Sequence, residues 1–119
     1  MALADLIEKV KQHANAERAG MILCHNGIVR RSSRDGRPVK GLRVSVDHRK
    51  LAKVLAEQKQ RPGIVEILVE IFAERDLAVG DDVMYLVVAG DIRENVIAVL
   101  QDTLNAIKTT VTSKTEYFV

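Results

Sequence analysis

Residues 80–116 read GDDVMYLVVAGDIRENVIAVLQDTLNAIKTTVTSKTE, an order that resolves into a turn, a buried strand, a helix and an extended tail. Gly80-Asp81-Asp82 carries turn chemistry. Val83 to Ala89 is an almost unbroken apolar run with β-branched and aromatic members, the pattern of a short buried strand. Asp91 is placed as the N-cap of the next helix, because its carboxylate accepts from the free amides of a first turn. Glu94, three residues on, completes a capping-box pattern. Val96, Leu100, Leu104 and Ile107 then recur at helical spacing, with Val99 and Thr103 beside them. Lys108 is expected to close this helix, where a cation suits the negative end of the dipole. The β-branched run from Thr109 to Thr112 stops it, and Lys114 and Glu116 follow in a strand. A lysine at a helix end beside a lysine on a strand makes either an anion site or an ordinary helix end.

The preceding residues supply the partners this segment needs. Leu3, Leu6, Ile7, Val10 and Ala14 form the apolar stripe of a first helix, followed by a turn at Glu17 to Gly20. Met21 to Val29 reads as a strand in which Asn26-Gly27 marks a bulge or bend. RRSSRDGRPVK, residues 30–40, is a polar loop with four arginines and a lysine. It is either a solvated hairpin connection or a basic flap over an anionic ligand. Leu42, Val44 and Val46 alternate with polar residues as a half-buried strand. Asp47 caps a helix from His48 to about Gln60, with Leu51, Val54, Leu55 and Gln58 facing inward, and Arg61-Pro62-Gly63 ends it. Ile64 to Ala73 is a further strand. Period two places Glu66 and Glu70 on one face with Ile64, Leu68 and Phe72, which reads as the wet side of a sheet rather than an acid/base pair.

At 119 residues this predicts one domain. The order of elements predicts α+β, with helices on one side of a mainly antiparallel or mixed sheet. A net charge of +2 and an aromatic content of 3% without tryptophan argue against nucleic acid. The single cysteine, Cys24, excludes an internal disulfide and fits a reducing cytoplasm. No apolar run reaches membrane-spanning length, and residues 1–20 do not read as a leader. One cysteine and three scattered histidines (His13, His25, His48) suggest no metal site, and no Gly-rich phosphate loop joins a strand to a helix. Cys24 and His25 adjoin, but neighbours on a strand point to opposite faces and do not form a nucleophile–base pair. Cys24 is read as a small buried apolar residue. His48, in a first helical turn, is read as exposed.

The succession Met21-Ile22-Leu23, Gly27-Ile28-Val29-Arg30, the polar loop, and Gly41-Leu42 resembles the large (catalytic) subunit of molybdopterin synthase, the MoaE family. So do Leu77-Ala78-Val79-Gly80-Asp81-Asp82, Arg93 with its helix, Lys108, and Ser113-Lys114-Thr115-Glu116. The resemblance covers residues 19–118 and rests on the order and spacing of several weak motifs. It implies an α/β-hammerhead-type domain over residues 1–119 that forms a homodimer. The implied partner is a ubiquitin-like small subunit bearing a C-terminal glycine thiocarboxylate. The implied activity is sulfur transfer to cyclic pyranopterin monophosphate, forming the dithiolene of molybdopterin. The pterin is the substrate and no bound cofactor is implied.

By position, Lys108 and Lys114 match the family's catalytic lysines, and Arg30 and Arg93 match substrate-binding arginines. Arg93 and Lys108 stand about 22 Å apart along one helix at roughly 1.5 Å per residue. They share a site only if a second copy supplies the arginine or the chain bends. The chain also departs from the family: Ile92 replaces a histidine, Phe72-Ala73 a histidine–arginine pair, and Thr112-Ser113-Lys114 lacks the family's proline and tryptophan. Two alternatives therefore stand beside the synthase. One is a non-catalytic or re-purposed paralogue that keeps the fold and dimer. The other is a small anion- or partner-binding domain.

Overall fold

The computed structural model describes residues 1–119, and its strands form two antiparallel three-stranded sheets. In the first, β5 (Asp82–Gly90) runs between β1 (Met21–Ile28) and β3 (Ile64–Ile71). In the second, β2 (Val39–Val46) runs between β4 (Asp76–Ala78) and β6 (Thr112–Phe118). Every pairing is antiparallel, so the α+β expectation holds in its antiparallel form. No helix is long and apolar enough to cross a membrane.

The unbroken apolar run of β5 has a direct cause: both faces of its sheet are covered. On one face, Leu6 and Val10 of α1 (Leu3–Lys11) pack on Tyr85, Val87 and Ala89. On the other, Val96 and Val99 of α3 (Arg93–Ala106) pack on Ile67, Leu86 and Val88. The expectation of helices on one side only is thereby corrected. A strand whose odd and even residues are all apolar needs two dry faces.

α2 (His48–Lys59) follows its predicted limits, and the Asp47 carboxylate accepts from the Lys50 amide at 3.0 Å. Leu51, Val54, Leu55 and Gln58 are its half-buried residues, as the periodicity requires, and His48 is exposed. Asp47→Ala should cost about 1 kcal/mol of stability through this cap. Urea unfolding monitored by far-UV circular dichroism checks it, and an unchanged midpoint would show the cap to be idle.

Two local expectations are corrected and one is met. The pairing of β3 slips between Ile64 and Glu66, so Ile64 joins the cluster under α3 while Leu68 and Phe72 pack towards α1. A one-residue bulge is enough to send a side chain to the other face. Glu66 is held by Lys59 at 3.1 Å and His13 at 3.8 Å. Residues 30–38 do not join two strands of one hairpin, because β1 and β2 belong to different sheets. They cross between sheets through their own small turn. There Ser32 bridges Pro38, and the Ser33 hydroxyl donates to Asp35 and accepts from the Arg37 amide. The bulge expected at Asn26-Gly27 is present, as a register shift between Gly27 and Ile28.

Candidate functional site

The start and the end of α3 both differ from their sequence reading, and the end creates the site. At the start, Ile92 rather than Asp91 occupies the cap position and no side chain caps the helix. The Asp91 carboxylate instead accepts from the Ile92 amide at 2.7 Å and the Asn95 side chain at 2.9 Å. Glu94 lies beside Arg93 at 3.3 Å and does not close a capping box. A carboxylate already engaged by a side-chain amide and its own neighbouring N–H is unavailable to the deeper amides of the turn.

At the other end, Lys108 does not close the α-helix. The helix passes at Ile107 into a wider π-type turn, Ile107–Val111. Thr109 and Thr110 donate their hydroxyls back to the carbonyls of Asn105 (2.8 Å) and Ala106 (2.6 Å), and Thr112 donates to that of Ile107 (3.3 Å). Such back-bonding competes with the regular ladder and bends helices, and π-type turns recur at functional sites. Ile107 and Val111, both buried, lock the turn onto Met84. Lys108 lies between these anchors and is exposed.

β6 starts immediately after this turn, and its register sets Lys114 opposite Val44 of β2. Directly opposed residues of an antiparallel pair share a face, so Lys114 stands beside the buried side of Val44. Between this face, the π-type turn and the far end of the first sheet lies a cavity of about 270 Å³. Lys108 and Lys114 both line it, with His25 of β1 and Arg34 of the inter-sheet loop. The remaining lining is mostly apolar and includes no carboxylate. Three exposed cations, Arg34, Lys108 and Lys114, and one imidazole around an apolar floor favour an anion, and salt screens the exposed charges.

Arg30 and Arg93 lie outside the cavity. Arg30 is exposed and donates to the carbonyl of Ser32 at 3.1 Å. Arg93, 79% exposed, stands at the opposite end of α3 with Glu94 as its neighbour. Arg37 stacks over the ring of Phe118, 3.6 Å from its centre, leaving Arg34 as the arginine of the basic loop that reaches the cavity.

His25 is a cavity residue that the sequence reading passed over. Alternation along β1 separates it from Cys24, which packs in the cluster under α1 with its thiol pKa raised by burial. The same alternation puts His25 on the face of Leu23 and Gly27. What the sequence does not contain is the return of α3 that brings Lys108 to that face. Burial, and then the charge of Lys108, push the imidazole pKa below its usual 6.5. Its Nε2 is buried without a hydrogen-bond partner.

Comparison with protein families matches residues 2–110 to the model for the MoaE protein. Comparison with curated protein sequences gives no match. Among solved structures, the chain is similar to molybdopterin cofactor biosynthesis protein E from Burkholderia multivorans, with a TM-score of 0.77 and 22% identity over 100% of this chain and 84% of that one. It is similar to molybdopterin synthase from Staphylococcus aureus, with a TM-score of 0.73 and 20% identity over 87% and 77% of the two chains. A third is a complex of subunits 1 and 2 of molybdopterin-converting factor from Helicobacter pylori, with a TM-score of 0.72 and 18% identity over 100% and 84%. At these identities the structural likeness speaks for the fold, while the family match spans most of the sequence. The chain belongs to the MoaE protein family.

Proposed function

We propose that this protein acts in molybdenum cofactor biosynthesis as a sulfur-transferring large subunit of molybdopterin synthase. The observation that carries the reading is the convergence of Lys108 and Lys114, from two different elements, on one cavity without a carboxylate. The proposed substrate, cyclic pyranopterin monophosphate, brings a phosphate that needs fixed cations. Arg34 offers a planar donor fork to it, and Lys114 a point charge. The proposed sulfur donor is the C-terminal thiocarboxylate of a ubiquitin-like small subunit. The thiocarboxylate sulfur bonds to a pterin carbon and displaces an oxygen substituent there. A nucleophile, water or the Lys108 amine, then adds to the acyl carbon and puts negative charge on the acyl oxygen. The charge collapses as the acyl carbon–sulfur bond breaks and leaves sulfur on the pterin. Lys108 at that position stabilises this charge as an ammonium, or as the free amine takes the acyl group, which water then releases as a carboxylate. The complex of subunits 1 and 2 of the Helicobacter pylori factor supports a small-subunit partner for this fold.

Arg93 enters this reading only through a second copy of the chain, whose α3 would bring its start to the cavity. A homodimer is therefore part of the proposal, and Arg93→Ala should lower the transfer rate only under conditions where the dimer forms. Sedimentation alongside activity checks this. Arg93→Ala without effect on the dimer's rate would remove Arg93 from the site.

Arg34→Ala should weaken binding of the pterin phosphate several-fold at low ionic strength and less at high salt, because exposed charges are screened. Arg37→Ala should do less, since its guanidinium lies on Phe118. Equal affinities for Arg34→Ala and wild type at low salt would return the loop to a plain connection between sheets.

One observation favours a second reading. Ile92, which stands where the family has a histidine, is 53% exposed at the start of α3. A paralogue that keeps the small-subunit partner but not the chemistry fits that change. It predicts a stable complex with the small subunit and no dithiolene product.

A further inference from the structure

His25 is set apart from the other three basic groups of the cavity because it alone changes charge near neutral pH. Its ring lies over Gly27, also a lining residue, where an added Cβ would stand 3.2 Å from Nε2. The glycine thus leaves the imidazole the space it occupies. Nε2 is shielded from solvent and has no partner within the protein. A buried nitrogen left unpaired is costly, and a turn of the ring towards the cavity that it lines would bring Nε2 to a group arriving there. The titratable groups lining the cavity with it are Arg34 from the inter-sheet loop, Lys108 from the π-type turn and Lys114 from β6, whereas β2, β3 and β5 contribute apolar side chains.

We propose that His25 is a substrate-contacting residue that takes up a proton when a phosphate-type dianion enters the cavity, becoming an additional cation against it. The inference rests on the anion reading of the cavity and adds a residue and a proton to it. In the free protein burial, and then the charge of Lys108, lower the imidazole pKa and so favour the neutral ring. A bound dianion offsets the cations of the cavity and, with the ring turned towards it, offers an acceptor to an N–H at Nε2. The protonated ring is then favoured, so its folded pKa rises on binding. By linkage, binding tightens as pH falls through the range between the free and bound pKa values. Above the bound value the ring stays neutral and adds nothing further.

The test uses the full chain and inorganic sulfate, whose charge is constant across this range. The protein has three histidines, so His13 and His48 serve as internal references. Imidazole titrations by NMR should show the His25 midpoint rising by about one unit at saturating sulfate, with His13 and His48 unmoved. One unit corresponds to about tenfold tighter sulfate binding at the acid end of the window than at the alkaline end. His25→Gln should flatten that dependence. A His25 midpoint that stays fixed while the Lys108 and Lys114 ammonium signals respond would overturn the role of His25 and leave the anion site standing. No response from any cavity group would remove both. Equal movement of all three histidines would reduce the effect to general salt screening and overturn the proposal.

Discussion

Lys108→Ala is expected to lower the single-turnover rate of dithiolene formation by roughly 100- to 1,000-fold, the scale at which one stabilising group for an oxyanion is lost. The same substitution should change stability by less than about 0.5 kcal/mol. The separation of the two effects comes from the local architecture. Lys108 is exposed and takes part in none of the five ion pairs of the chain. The π-type turn is held by its neighbours: Ile107 and Val111 are buried, and the hydroxyls of Thr109, Thr110 and Thr112 tie to preceding carbonyls. Removing the ammonium takes charge from the cavity without taking an anchor from the fold. Rapid-quench turnover beside urea unfolding measures both quantities. Unchanged turnover in a folded variant would exclude Lys108 from the chemistry.

Ile107→Ala should behave in the opposite way, with a loss of about 2–5 kcal/mol of stability, the usual range for truncating a fully buried isoleucine. Ile107 is 0% exposed, packs with Met84 and Val111, and also lines the cavity. Because it adjoins Lys108, the cavity left behind lets the turn settle and moves the ammonium. Turnover per folded molecule should therefore fall as well. Val99→Ala provides the control: Val99 is 1% exposed in the cluster under α3, away from the lysines. It should lose stability while keeping its turnover per folded molecule. Equal turnover in the two variants, measured where both are folded, would show that the packing of Ile107 does not position Lys108.

Most of the elements were legible because each has a local cause. Asp47 caps α2 through an interaction three residues away, and the stripe Leu51, Val54, Leu55, Gln58 is a property of one helix. The pairing of Lys108 with Lys114 was open to the same local reasoning, as an anion site or an ordinary helix end, while their catalytic roles were implied only by the resemblance. What was not legible depends on pairing across long separations. The assignment of β1 and β2 to different sheets turned an expected hairpin connection into a crossing that carries Arg34 to the cavity. The second covered face of β5 was present in its apolar run, but which helix covers which face is decided by chain return. His25 illustrates the limit. Strand alternation alone fixes its face, whereas its proximity to Lys108 depends on three elements meeting. The π-type turn escaped notice because threonines are read as helix stops, and here their hydroxyls instead widen the last turn.

The central claim is that this cavity transfers sulfur, and a single-turnover reaction tests it most directly. The protein would be mixed with thiocarboxylated ubiquitin-like small subunit and cyclic pyranopterin monophosphate, and dithiolene formation followed. Transfer of sulfur in the wild-type protein, lost in Lys108→Ala and weakened at low salt in Arg34→Ala, is the predicted result. A stable complex with the small subunit that consumes no thiocarboxylate would contradict the catalytic account and leave a paralogue with the MoaE fold.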